Sequence, residues 1–190
     1  MTDIQQELQL TGHFLIAMPS LESDLFDGGV IYLFDHSQEG AVGLLVIHRY
    51  DISFAEVVND LEVEPDPSLD LTEKMVFFGG PVHSDKGFVL HSPSREYRSS
   101  LQSGELVMTS SRDVLEDYVM GQGPEKLLLA LGYSGWAPGQ LEDELGRNAW
   151  LTVQADPKII FDCPIGERYA RALKLLGFDP GLLQGGAGHA

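Results

Sequence analysis

The chain has 190 residues, 43% of them hydrophobic and 22% charged, a globular balance that excludes wholesale disorder. Twelve lysines and arginines stand against 29 aspartates and glutamates, and the formal charge of −17 repels a polyanion such as DNA. A single cysteine excludes an intramolecular disulfide and a multi-thiolate zinc site.

In chain order, Met1 to Gln9 is polar and acidic and lacks the basic start and apolar core of a secretory signal. It reads as a flexible N-terminus, and the chain is expected to stay in a reducing cytoplasm, in keeping with the lone Cys163. Phe14–Met18, stopped by Pro19, is a strand, and Val30–Phe34 and Val42–His48 form a hairpin around the turn-rich 35–41. None of these apolar runs approaches the ~20 residues of a membrane span. Ser53 and Glu56 have the spacing of a capping box and open a helix over Phe54–Leu61. Leu61–Thr72, with two prolines, is a surface excursion.

Met75–Phe78, Gly87–His91 and Glu105–Met108 are further strands, the first interrupted by Gly79-Gly80-Pro81. A helix starts near Ser110–Asp113, with Val114, Leu115, Tyr118 and Val119 on one stripe and Gly121 as its stop. Leu127–Leu131 follows Pro124 and could be a helix or a buried strand; we read it as a strand. Pro138 suits a first helical position, ahead of Leu141 and Leu145. Trp150–Gln154 and Lys158–Phe161 read as a final hairpin, and Ile165, Tyr169, Ala172, Leu173 and Leu176 mark a helix closed by Gly177. Strands outnumber helices and come partly in consecutive runs. The expected fold is α+β: one domain over residues 10–180, with a mixed, curved β-sheet flanked by a few helices and a disordered tail over 181–190.

Eight acidic residues and no basic one lie between Asp51 and Glu73. Arg168, Arg171 and Lys174 recur on one side of the last helix and read as a solvated face, so direct nucleic-acid binding is not expected. The run Glu142-Asp143-Glu144 also reads as a solvated face.

No catalytic constellation stands out. Gly132-Tyr-Ser134-Gly135 is one residue short of a nucleophile elbow, and its glycine is expected to permit close packing beside Trp136. The glycines at 79 and 80 do not fit a phosphate loop. The six histidines lack metal-ligand spacing, so neither a metal nor a cofactor is implied. Cys163 reads as a small core residue, as do the large Trp136 and Trp150.

Several strings together carry a resemblance: Leu10-Thr-Gly-His-Phe-Leu-Ile-Ala-Met-Pro19, Gly40-Ala-Val-Gly43, Gly79-Gly-Pro-Val82, Gly87-Phe-Val-Leu-His-Ser92 and Thr109-Ser-Ser-Arg-Asp113. After them come Leu131-Gly-Tyr-Ser-Gly-Trp-Ala-Pro-Gly-Gln-Leu-Glu142 and Asn148-Ala-Trp-Leu151. From about Leu10 to Phe178 the chain resembles the YqgE/AlgH family of bacterial proteins. The resemblance implies a cytosolic α+β protein with a curved mixed sheet and a regulatory link to alginate production, and it brings no accepted catalytic residue. The chain departs from the family's usual I-N-R-P string in reading Ile47-His48-Arg49-Tyr50.

Two readings of function follow. The first is a non-catalytic binding or regulatory protein with a protein or small-molecule partner. Arg49, His91 and Arg112, each at a strand-to-turn boundary, are its candidate ligand contacts. The alternative is a small hydrolase whose pocket gathers His36, Arg49, His91, Ser92, Arg112 and Gln140 with Glu142.

Overall fold

A computed structural model describes residues 8–19, 21 and 23–177. Most of the N-terminal stretch and all of the tail that the sequence marks as flexible lie outside those residues. The first half of the chain runs β1 (His13–Ala17), β2 (Val30–Ser37), β3 (Gly40–Leu45), β4 (Arg49–Ser53), α1 (Phe54–Val58) and β5 (Met75–Phe78). The second half begins with β6 (Val82–His91), β7 (Ser100–Ser103), β8 (Leu106–Thr109), α2 (Asp113–Val119) and β9 (Leu127–Trp136). It ends with α3 (Gln140–Gly146), β10 (Trp150–Gln154), α4 (Pro157–Phe161) and α5 (Ile165–Leu175).

The sheet is mixed and curled, in the strand order β10-β1-β2-β3-β9-β6-β8-β7, with β5 joining β9 and β4 joining β5. The β5–β9 pairing is parallel, and the other strand pairings are antiparallel. The curl brings β7 back towards β2. The Tyr32 hydroxyl donates to the Ser103 carbonyl at 2.5 Å, and the Ser103 hydroxyl donates to the Leu33 carbonyl at 3.4 Å. A methyl group at Gly12 would lie 3.2 Å from the Gly104 Cα, so these two loops close the curl at backbone contact.

Both faces of the sheet are buried, and the two-residue period of a strand sorts its side chains between them. Phe14 and Ile16, Val30 and Tyr32, and Leu128 and Ala130 point into one core, which α4 and α5 cover with Ile159, Ile160, Ala172 and Leu173. The intervening Leu15, Ile31 and Leu33 join Trp136, Leu141 and Trp150 under α3. Leu127 and Leu129 instead meet Phe54, Val114 and Tyr118 from α1 and α2. This double burial explains why residues 127–131 are apolar without a break, and it settles that segment as a strand. The strand then continues through the glycine-rich string to Trp136.

Two polar strands have no apolar run to mark them. Arg49–Ser53 and Ser100–Ser103 lie at the margins of the sheet, where solvent meets at least one side. The expected last hairpin is replaced by a helix: residues 157–161 form α4, and β10 pairs with β1. The Asp156 side chain accepts the Lys158 N–H and Pro157 occupies the first turn, a helix-start signal that outweighs the short apolar run. The α1 capping box forms as expected, with both reciprocal bonds between Ser53 and Glu56. Pro138 precedes α3 instead of entering it, and Gly139 holds the N-cap at φ +78°.

At its centre, β9 changes neighbour. Leu129–Leu131 pair with β5, and beyond Gly132 residues 134–136 pair with β3. Gly79 and Gly80 cross Gly132 at this junction, where a methyl group on any of the three would overlap the backbone of the opposite segment. Gly132 also has φ +71°, while Gly139 has φ +78° but open space around it. Gly139→Ala is therefore expected to cost only the left-handed strain, about 1 kcal/mol, and Gly132→Ala about 3 kcal/mol or more. Thermal unfolding checks this: the Gly132 variant should lose several degrees more than the Gly139 variant, and equal losses would contradict the crossing.

Candidate functional site

Three of the strings that carry the family resemblance, at 40–43, 79–82 and 131–142, meet at this crossing. Ser134 is buried and its hydroxyl donates to the Gly79 carbonyl at 3.1 Å, tying β9 to the Gly79–Pro81 turn. His36, near the end of β2, is buried and engaged at both ring nitrogens. Its Nδ1 accepts the Leu10 N–H at 3.2 Å, so the neutral ring carries its proton on Nε2 and donates it to Glu142 Oε1 at 2.8 Å. Burial pushes the Glu142 carboxyl up, but its own backbone N–H and the His36 N–H outweigh that effect and hold it below its ordinary value. A small cavity of about 130 Å³ lies beside this pair, bounded by Leu8, Gln9 and the 36–38 turn.

Glu144 is not part of a solvated face. Its Oε2 accepts both indole N–H groups, from Trp136 at 2.9 Å and from Trp150 at 2.7 Å, and its Oε1 accepts from Gln140 at 3.0 Å. One carboxylate thus satisfies two large aromatic residues that sit edge to face, with ring centres 6.0 Å apart. The 140–144 turn of α3 is fastened by Glu142 to β2 and by Glu144 to β9 and β10.

The three residues expected to contact a ligand occupy different surroundings. His91 has no exposed surface. Its Nδ1 donates to the Ser92 carbonyl at 2.8 Å, its Nε2 accepts from the Thr109 hydroxyl at 2.8 Å, and Tyr97 meets its ring edge to face. Burial pushes its pKa down, against the opposing effect of the Ser92 carbonyl. Arg112 is exposed at the N-cap of α2 and donates to the Asp60 carbonyl at 2.8 Å. It lines a cavity of about 380 Å³ with Arg98, Glu62, Ser111, Asp113 and Glu116. Arg49 is exposed at the start of β4, opposite Phe77. Neither Arg49 nor His91 lines the Arg112 cavity. Tyr50, where the family string has proline, stacks on Phe78 with ring centres 6.1 Å apart, and burial pushes the His48 pKa down.

Arg168, which the sequence placed on a solvated face with Arg171 and Lys174, is instead buried. It is only 6% exposed, with Nη1 donating to the Val46 carbonyl, Nε donating to the Cys163 carbonyl at 3.1 Å, and the guanidinium 5.0 Å from the centre of the Phe77 ring. Burial pushes its pKa down from the ordinary arginine value. The signal was present: Arg168 lies three residues after Ile165 and four before Ala172, inside the apolar stripe of α5. Cys163 is half-exposed rather than a core residue. Among the described residues no group of three His, Cys, Asp or Glu side chains is placed to hold a metal ion, and no helix is long and apolar enough to cross a membrane.

The fold and the inward-facing motif residues define an α+β protein on a curled mixed sheet. The sequence profile described as AlgH-like matches residues 14–181, and the chain belongs to that family. A UPF0301 protein of Ralstonia nicotianae is 50% identical over 186 residues, covering 96% of each chain. One from Cupriavidus metallidurans is 50% identical over 193 residues, covering 100% of both. The solution structure of the AlgH protein from Pseudomonas aeruginosa has a TM-score of 0.79 and 45% identity over 97% of each chain. A crystal structure of a Corynebacterium diphtheriae protein shares the fold alone, with a TM-score of 0.68 and 21% identity over 88% of this chain and 87% of that one.

The His91 environment has a consequence for stability. Its folded pKa lies below the unfolded value of about 6.5, so between the two the unfolded chain binds more protons and stability rises with pH. Stability is therefore expected to fall as pH drops below about 6.5. His48, shifted the same way by burial, adds to the slope. Urea unfolding midpoints at pH 7.5 and 5.5 check this, and His91→Gln should flatten the difference; an unchanged slope in that variant would contradict the assignment.

Proposed function

We propose that this protein acts without catalysis, as a cytoplasmic binding protein whose partner carries a basic surface. One observation carries the reading: the buried histidines, Ser134 and Glu144 are committed to internal hydrogen bonds. His36 and His91 each use both ring nitrogens, Ser134 is buried against a carbonyl, and Glu144 is shared by two indoles. A general base needs a lone pair facing a substrate, and a nucleophile needs access to one. The hydrolase alternative lacks both at these positions, so the binding reading is preferred.

Charge supports the choice of partner. Seven of the eight acidic residues between 51 and 73 are exposed, on β4, α1 and the segment after it. Such a field attracts a basic surface and repels nucleic acid. Arg112 reaches the Asp60 carbonyl at the edge of this surface, with Arg98 beside it across the 380 Å³ cavity. On this reading the exposed acids meet the partner's cations, while Arg112 at their edge and Arg49 on β4 donate hydrogen bonds to its acceptor groups. His91 contributes through its hold on Thr109 and Ser92. A regulatory role of the kind the family resemblance implies then runs through protein contact and not through DNA.

Native mass spectrometry of the protein purified gently from its own cells tests this. The expected result is a second, basic polypeptide that dissociates as salt is raised, because rim charges are screened within about 10 Å at 0.1 M ionic strength. Glu62→Lys with Glu64→Lys, two exposed acids of this surface, should weaken that complex without changing stability by more than about 0.5 kcal/mol. Turnover of an ester or phosphate substrate by the bare protein, lost in a Ser134→Ala variant that still folds, would overturn the reading.

A further inference from the structure

A basic departure from this acidic surface lies on the opposite helical layer. Between α4 and α5 is a cavity of about 420 Å³, within the size range of small-molecule sites. Its apolar wall is Ile159, Pro164 and Leu175, the last of these 40% exposed, and its rim carries Lys158, Arg171 and Lys174. The half-exposed Cys163 also lines it.

The electrostatics here run against the rest of the molecule. The two aspartates of the lining are engaged: Asp156 Oδ1 accepts the Lys158 N–H at 3.0 Å, and Asp162 is paired with Lys126. Arg171 is paired with Glu167 at 3.1 Å. Behind the wall the Arg168 guanidinium, held by the Cys163 and Val46 carbonyls, makes none of the described ion pairs with a carboxylate. The lining itself carries three cations, Lys158, Arg171 and Lys174, against two carboxylates, Asp156 and Asp162, in a chain whose formal charge is −17. An apolar wall under a cationic rim is complementary to a molecule with a hydrocarbon body and an anionic head. Lysine suits this placement, since its aliphatic stem can cover the apolar part while its ammonium group meets the head.

We propose that the α4–α5 cavity is a binding site for an amphiphilic organic carboxylate, with the hydrocarbon part against Ile159, Pro164 and Leu175 and the carboxylate at Lys158 and Lys174. This site is separate from the acidic surface and does not depend on the binding reading given above.

Because Cys163 is the chain's single cysteine and lines the cavity, its alkylation reports occupancy directly. The probe is decanoate, with decylammonium and decanol as controls of equal chain length. Decanoate should slow iodoacetamide labelling of Cys163 by about tenfold at about ten times its Kd, and should shift the Ile159 and Leu175 methyl resonances. Decylammonium should do neither, and decanol should act only at much higher concentration. Lys158→Glu with Lys174→Glu should abolish the decanoate effect, while Lys86→Glu, a single charge reversal on exposed β6, should leave it intact. Absence of both protection and methyl shifts with decanoate would overturn the proposal. So would equal effects from all three amphiphiles, or decanoate binding that survives in the double variant.

Discussion

The crossing of Gly79–Gly80 over Gly132 is the constraint on which the rest of the structure depends. At this point β9 exchanges its parallel neighbour β5 for its antiparallel neighbour β3, while its other edge stays with β6. Three strands can meet one strand only if the chain crosses itself at backbone distance, and side chains at the crossing would hold the segments apart. The Gly79 carbonyl then accepts twice, from the Leu45 N–H at 2.9 Å and from the Ser134 hydroxyl at 3.1 Å, so the turn is bonded to β3 and β9 together. A glycine-rich string with a serine invites a catalytic reading. Here the glycines permit contact and the serine fastens it.

A second fastening follows from the same topology. With β9 running to Trp136 and β10 returning to pair with β1, two tryptophans are brought edge to face under α3. Their indole N–H groups need acceptors when buried, and Glu144 supplies one oxygen to both. Glu142, two residues earlier on α3, reaches His36 on the other side. The acidic run of α3 is therefore a clamp between β2, β9 and β10, although only its spacing relative to the tryptophans could have suggested it.

Much of the fold was legible because both faces of the sheet are buried. Double burial writes continuous apolar runs such as 30–34 and 127–131, and such runs survive a reading without neighbours. Polar β4 and β7 escaped because marginal strands are stabilised by backbone pairing, which leaves no hydrophobic signature. Helix α4 was misread because five residues cannot display a helical period, and its Asp-Pro start was the better guide. Candidate site residues were harder still. His36 and Glu142 were both named as candidates for one pocket and do meet, but the partner that fixes the ring, the Leu10 N–H, is a backbone group that no side-chain motif records. The burial of Arg168 depends on a carbonyl 122 positions away, a relation that only the folded chain creates.

The central claim is that the buried histidines, Ser134 and Glu144 are locked into the fold, and the ring nitrogens of His36 and His91 test it most directly. Long-range ¹⁵N–¹H correlation spectra near pH 7.5 distinguish the two tautomers of each ring. The account predicts a single Nε2–H form for His36 and a single Nδ1–H form for His91, because their partners impose opposite protonation. Averaged tautomers at either ring, or a nitrogen exchanging freely with water, would show a side chain available for chemistry and would contradict the account.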